Sequence, residues 1–116
     1  MSVSREVKSF IVSLFGDFYR VISRDERSSP FEALTVLRMM VSMAPLDYQP
    51  LLLMRMEGAK GYIANEANAL DTTGKEEIQE YLGKCKNELY TLFSTIVAAY
   101  QAGGMFAEES KAARVE

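Results

Sequence analysis

The sequence predicts an all-α protein, a single-domain four-helix bundle followed by a short C-terminal tail helix. Three observations favour this fold class. Apolar residues recur at steps of three and four along most of the chain, two segments carry helix-capping sequences, and no stretch alternates apolar and polar residues as a half-buried strand does. A chain of 116 residues holds one domain, and we place it at residues 1–104, with the tail at 105–116.

The first two predicted helices cover residues 4–24 and 30–43. The apolar residues of the first form one stripe: Val7, Phe10, Ile11, Leu14, Phe15, Phe18, Val21 and Ile22. The second begins with a Ser29 cap, Pro30 in the first turn and Glu32 three residues after the cap, and Pro45 ends it. Its polar residues form only a narrow line: Thr35, Arg38 and Ser42. We therefore expect this helix to be enclosed on most sides, by its own domain or by a partner.

The third and fourth predicted helices cover residues 48–69 and 74–102. Asp47 is placed to cap the third, and Thr73 with Glu76 forms a capping box for the fourth. The third helix has a small residue at every third position: Gly58, Gly61, Ala64 and Ala67. Either another helix approaches this ridge closely, or the two glycines break the helix, since each costs about 1 kcal/mol of helix propensity.

Composition excludes the commonest catalytic and metal-binding chemistries. The chain has no His and one Cys, which rules out imidazole bases, Ser/His/Asp and Cys/His nucleophiles, and His-containing metal sites. Cys85 lies on the apolar stripe of the fourth helix, where a small core residue is expected. The first turns of that helix carry three carboxylates, Glu76, Glu77 and Glu80. We expect them to be solvated and to interact favourably with the positive N-terminal end of the helix dipole. We therefore expect no enzymatic activity, no metal and no cofactor.

Charge and hydropathy restrict the compartment and the partners. The net charge of −3 and the pI near 5.1 oppose a protein that coats DNA through bulk charge. Charged residues interrupt the first 25 positions, so we expect no signal peptide. No window reaches about 18 uncharged apolar residues, so we expect no membrane span. A single cysteine without an export signal favours the cytoplasm.

The arginines are concentrated in the first half of the chain, which holds six of the seven. Arg20, Arg24 and Arg27 continue along one side of the first helix into its loop, and Arg38 lies on the polar line of the second. Guanidinium groups suit forked contacts to phosphate, so these four are the candidate nucleic-acid-binding residues. The alternative is a solvated face with ion pairs, in which Asp17 pairs with Arg20 or Arg24.

Methionines indicate a possible protein interface. Five of them surround the second loop: Met39, Met40, Met43, Met54 and Met56. They either fill the core or form an adaptable groove for a partner helix. In the tail, Met105 and Phe106 are expected to be exposed and to need a surface to cover them. The candidate interface residues are Met39, Met43, Met105 and Phe106.

The whole chain resembles the small all-helical subunits of CRISPR surveillance (Cascade-like) complexes. The resemblance lies in size, in helicity and in the four arginines Arg20, Arg24, Arg27 and Arg38. The resemblance implies a non-catalytic subunit in antiviral defence that contacts neighbouring protein subunits and the backbone phosphates of bound RNA or single-stranded DNA. The alternative is a stand-alone helical adaptor, chaperone or inhibitor that binds one protein partner through a Met-rich apolar surface.

Overall fold

The computed structural model describes residues 4–70 and 74–105, which form four α-helices. These are α1 (Arg5–Ile22), α2 (Ser29–Ser42), α3 (Gln49–Ala69) and α4 (Lys75–Ala102), with a 3-10 turn at Leu46–Tyr48 before α3. No strand occurs within these two ranges, and the predicted all-α bundle is confirmed. Each helix boundary lies within two residues of the predicted one. The predicted tail helix from residue 106 onward lies outside the described residues.

A serine occupies the N-terminal cap position of each of the first two helices. In α2 it is not the serine that the sequence predicts. The Ser4 hydroxyl caps α1 by accepting a hydrogen bond from the Val7 backbone N–H at 3.2 Å. Helix α2 begins one residue earlier than predicted, with Ser28 at the cap position instead of Ser29. The Ser28 hydroxyl lies 3.3 Å from the Glu32 carboxylate, so the serine and the glutamate still meet at this helix start.

The connection from α2 to α3 is closed by Gln49, not by the predicted Asp47 cap. The turn at Leu46–Tyr48 makes Gln49 the first residue of α3. Its side-chain amide donates to the carbonyl oxygens of Ser42 at 3.2 Å and Ala44 at 2.7 Å. Backbone oxygens at a helix end lack intrahelical donors, so one side chain caps α2 and fixes the start of α3. The predicted cap Thr73 lies outside the described residues.

Helix α2 occupies the centre of the bundle because it packs against α1, α3 and α4. Its buried apolar side chains are Ala33, Leu34, Leu37, Met40 and Val41. Helices α3 and α4 also pack together. The protein's own helices therefore enclose most of α2, as expected, and leave Phe31 and Met39 exposed.

Aromatic rings join α1 to α4. Phe18 stacks on Phe93 with ring centroids 4.5 Å apart and 4° between the ring planes. Phe15 contacts the same ring edge to face, at 5.6 Å. Tyr19 and Tyr90 lie at the solvent side of this cluster and contact Phe93 and Phe18 respectively. These ring contacts connect the two helices beside the aliphatic side chains that both contribute to the core.

Neither interpretation of the small-residue ridge on α3 holds at its two glycines, although Ala67, the last residue of the ridge, packs against the core. The helix continues without a break from Gln49 to Ala69, so the glycines do not interrupt it. Gly58 and Gly61 are exposed, and a methyl group on either would meet no atom within 4 Å. The fully buried small residue of α3 is Ala59, which is 2% exposed and lies outside the predicted ridge. No helix of the described ranges approaches the two glycines.

Candidate protein-binding groove

An open groove of about 330 Å³ lies between α2 and α3. Each helix lines it with four residues at the spacing i, i+3, i+4 and i+7: Phe31, Leu34, Thr35 and Arg38 from α2, and Leu53, Met56, Glu57 and Lys60 from α3. This spacing places the four residues of each helix on one face. We call this site the α2–α3 groove.

The α2–α3 groove has a buried floor and exposed apolar walls. Leu34 and Met56 form the floor and are 8% and 7% exposed. Phe31 and Leu53 form the walls and are 42% and 50% exposed. Single exposed apolar residues are common on proteins, whereas apolar residues that share a concave site mark a binding surface. The α2–α3 groove combines exposed apolar walls with a concave shape, which makes it the candidate binding surface.

Charged side chains complete the α2–α3 groove. Arg38 and Lys60 supply two cations and Glu57 one carboxylate, which gives the groove a formal charge of +1. The whole chain carries −3, so the groove has the opposite sign. Within the described ranges, neither Arg38 nor Lys60 has an ion-pair partner. Both cations are therefore available to a bound molecule.

No family model, curated protein or solved structure matches this chain.

The four predicted phosphate-binding arginines do not share one environment. Arg20 pairs with Asp17, as the ion-pair alternative predicts, and Arg24 lies 3.2 Å from the Glu32 carboxylate. The guanidinium of Arg27 donates to the backbone carbonyl of Leu70 at 3.4 Å. The fourth, Arg38, lines the α2–α3 groove. Three of these arginines thus already hold acceptors within the chain.

The predicted interface methionines are also dispersed. Met39 is exposed and Met43 is half-buried, but neither lines the α2–α3 groove. The expected exposure of Met105 is wrong, because it is buried at 9% and belongs to the core. The chain turns back at Gly104, whose φ of 81° is in the left-handed region, and the Met105 N–H donates to the Tyr100 carbonyl. Phe106 lies outside the described residues.

The five methionines around the second loop divide between the core and the surface, since Met40 and Met56 are buried while Met39 and Met54 are exposed. Of the five methionines around the second loop, only Met56 lines the α2–α3 groove, while Met40 is fully buried in the core. The groove-lining residues that the methionine pattern does not include are Phe31, Leu34, Leu53 and Lys60. Their i, i+3, i+4, i+7 spacing places each set on one helix face, but every helix face has this spacing, so the sequence does not single these residues out.

A smaller pocket of about 220 Å³ lies where the end of α3 meets the start of α4. Its charged residues are Glu66, Glu77, Glu80 and Lys84. The Lys84 ammonium lies 3.8 Å from Glu66 and 3.6 Å from Glu80, so it neutralises part of the negative charge. No group of three or more potential metal-ligating side chains occurs in the part of the chain that the structure describes.

Cys85 is buried beside this pocket. Its side chain is completely inaccessible, and burial raises the pKa of the thiol to about 11. The reactive species is the thiolate, so the environment keeps this sulfur in its unreactive form.

Among the helices of the described ranges, none has the length and apolar character needed to cross a bilayer.

Proposed function

We propose that this chain is a non-catalytic helical subunit or adaptor that binds a protein partner through the α2–α3 groove. The observation that carries the proposal is the pair of half-exposed walls, Phe31 and Leu53, above a buried apolar floor. Full burial of such side chains contributes about 1.5–3 kcal/mol each. When a partner covers the exposed half of Phe31 and of Leu53, each side chain therefore contributes about 1 kcal/mol to the free energy of binding.

The openness of the α2–α3 groove favours a macromolecular partner over a small molecule. Small-molecule sites bury about 70–90% of their ligand. Here the whole lining comes from two neighbouring helices and no third element of the described ranges lies over the groove, so a small ligand would keep its outer face in water. A partner protein brings its own surface and covers the walls from above. An apolar helix face laid into a groove is a common way to do this.

The more specific hypothesis, a small subunit of a CRISPR-type nucleoprotein complex, rests on the resemblance in size, helicity and arginine content. Phosphate binding by Arg20 or Arg24 requires the loss of an exposed ion pair with Asp17 or Glu32. Exposed pairs contribute about 0–1 kcal/mol, so a phosphate can replace a carboxylate at little cost. The arginine set remains the predicted nucleic-acid contact in this version of the function.

The first experiment is the native mass of a tagged copy purified gently from its own cell, before and after nuclease treatment. Groove-dependent protein binding predicts a complex larger than 13.0 kDa that nuclease leaves unchanged. A particle of hundreds of kilodaltons that nuclease disrupts supports the nucleoprotein subunit instead. A mass equal to the chain alone, in a cell lysate kept at low salt, contradicts both versions.

Matched variants then assign the contact to the groove. Leu53→Ser and Phe31→Ser each remove an exposed groove wall and should release the partner while the helical circular dichroism is unchanged. Leu46→Ser makes the same chemical change at a residue that is 80% exposed and does not line the groove. This control should retain the partner. Equal retention by all three variants contradicts the assignment to the α2–α3 groove.

A further inference from the structure

The α2–α3 groove has the length of a two-turn helical ligand. Its lining runs from Phe31 to Arg38 on α2 and from Leu53 to Lys60 on α3. Seven residues at 1.5 Å each give about 10 Å along either helix. A docked helix that uses side chains at i, i+3 or i+4, and i+7 spans the same length.

The volume of the groove sets the number of anchor side chains. A cavity of about 150 Å³ is large enough for a benzene-sized group. The α2–α3 groove, at about 330 Å³, therefore has room for two such groups. A third anchor would contact the exposed walls at one end. This count agrees with two to three apolar residues on one face of a short helix.

The charges of the groove determine what surrounds those anchors. Arg38 is the last lining residue of α2 and Lys60 is the last lining residue of α3, and Glu57, between Met56 and Lys60, is the single carboxylate of the lining. Both cations lack an ion-pair partner within the described residues. A ligand with carboxylates beside its apolar anchors complements this pattern, and a basic ligand is repelled.

We infer that the α2–α3 groove recognises an amphipathic helix of a partner protein whose two or three apolar anchors are flanked by acidic residues. The inference rests on the proposed function and names the chemistry of its partner. Apolar contact supplies most of the affinity, while Arg38 and Lys60 select acidic over basic helices.

The test is a selection of displayed 18-residue helical peptides against the full chain. Apolar residues are encoded at i, i+4 and i+7 of an Ala/Gln framework, and the flanking positions encode Glu, Gln and Lys equally. Binders are retained only if Leu53→Ser abolishes their binding. Each exposed ion pair contributes up to about fivefold in affinity, so we expect Glu to exceed Lys at the flanking positions by about tenfold.

Charge variants separate recognition from general attraction. The double variant Arg38→Glu with Lys60→Glu should reverse the preference toward Lys. Glu57→Gln should strengthen the preference for Glu. Arg55→Glu makes the same change of charge as Arg38→Glu or Lys60→Glu alone, at an exposed residue of α3 outside the groove lining, and it should leave the preference within about twofold.

The outcomes distinguish the two proposals. Groove-dependent peptides that show no preference for Glu, or that keep it in the double variant, overturn the acidic-helix inference and leave protein binding by the groove intact. A selection that yields no peptide sensitive to Leu53→Ser overturns both proposals.

Discussion

The hydroxyl of Tyr100 donates a buried hydrogen bond to the backbone carbonyl of Met40, which joins α4 to α2. Both side chains are completely inaccessible to solvent. The same carbonyl also accepts a hydrogen bond from the Met43 N–H at 3.2 Å, at the end of α2. Buried polar groups are costly unless they are paired, so this contact fixes the position of α4 against the last turn of α2.

Replacing Tyr100 with Phe should lower the free energy of unfolding by about 1 kcal/mol. The ring keeps its packing, and only the hydroxyl and its hydrogen bond are lost. The loss stays small because the Met40 carbonyl retains the Met43 N–H. Urea unfolding measures the change. Tyr90→Phe is the control, since its ring is 41% exposed, and a loss of the same size in that variant would contradict the role of the buried hydroxyl.

Stability should be constant around neutral pH and fall above about pH 9. Burial raises the pKa of the Cys85 thiol from 9.0 to about 11 and those of the Tyr81 and Tyr100 hydroxyls from 10.0 to about 12. Between the unfolded and the folded pKa, the unfolded chain has lost a proton that the folded chain keeps. The free energy of unfolding therefore decreases as the pH rises through this range. Urea midpoints at pH 7, 9, 10 and 11 measure it.

The variant Cys85→Ala separates the thiol from the tyrosines. Without the thiol, the pH-dependent loss should begin near pH 10, where unfolded tyrosine ionises, instead of near pH 9. The comparison uses the slope against pH within each protein, because the truncation also leaves a small cavity. An onset at the same pH in both proteins would rule out the buried thiol as the first group to respond.

The helices were predictable because their signals are local. The apolar stripe of α1 places Ile11, Leu14, Phe18 and Ile22 on one face, and these are the buried residues of that helix. Periodicity within one helix decides which face turns inward, and it needs no knowledge of the other helices. The predicted pairing of Asp17 with Arg20 is equally local and is also found.

The candidate site was not predictable in the same way because it depends on how helices meet. The glycines Gly58 and Gly61 favour close packing in sequence terms, yet both are exposed, and the residue between them that is buried is Ala59. Met105 was expected to be exposed, and the turn at Gly104 returns it to the core. The α2–α3 groove exists only because two separate four-residue faces lie side by side, which no single window of sequence shows.

The stacked rings of Phe18 and Phe93 should be energetically coupled. Their centroids are 4.5 Å apart and the planes differ by 4°, and stacked aromatic pairs contribute about 0.5–1.5 kcal/mol beyond their buried area. In a double-mutant cycle, Phe18→Leu and Phe93→Leu should each destabilise the bundle and together cost less than their sum by about that amount. Phe10→Leu, at a ring 48% exposed, should add to Phe93→Leu without coupling.

Alanine at the exposed glycines of α3 should stabilise the protein. Gly58 and Gly61 lie within an unbroken helix, and a methyl group at either meets no atom within 4 Å. Alanine restricts the unfolded chain and favours the helix, so each change should add about 0.5–1 kcal/mol to the free energy of unfolding. Gly103→Ala is the opposite case, because a methyl group there overlaps the Pro45 ring. The midpoint temperature of thermal unfolding should be higher for Gly58→Ala and Gly61→Ala than for the parent protein, and lower for Gly103→Ala. A lower midpoint for either of the first two variants would contradict the open space at that glycine.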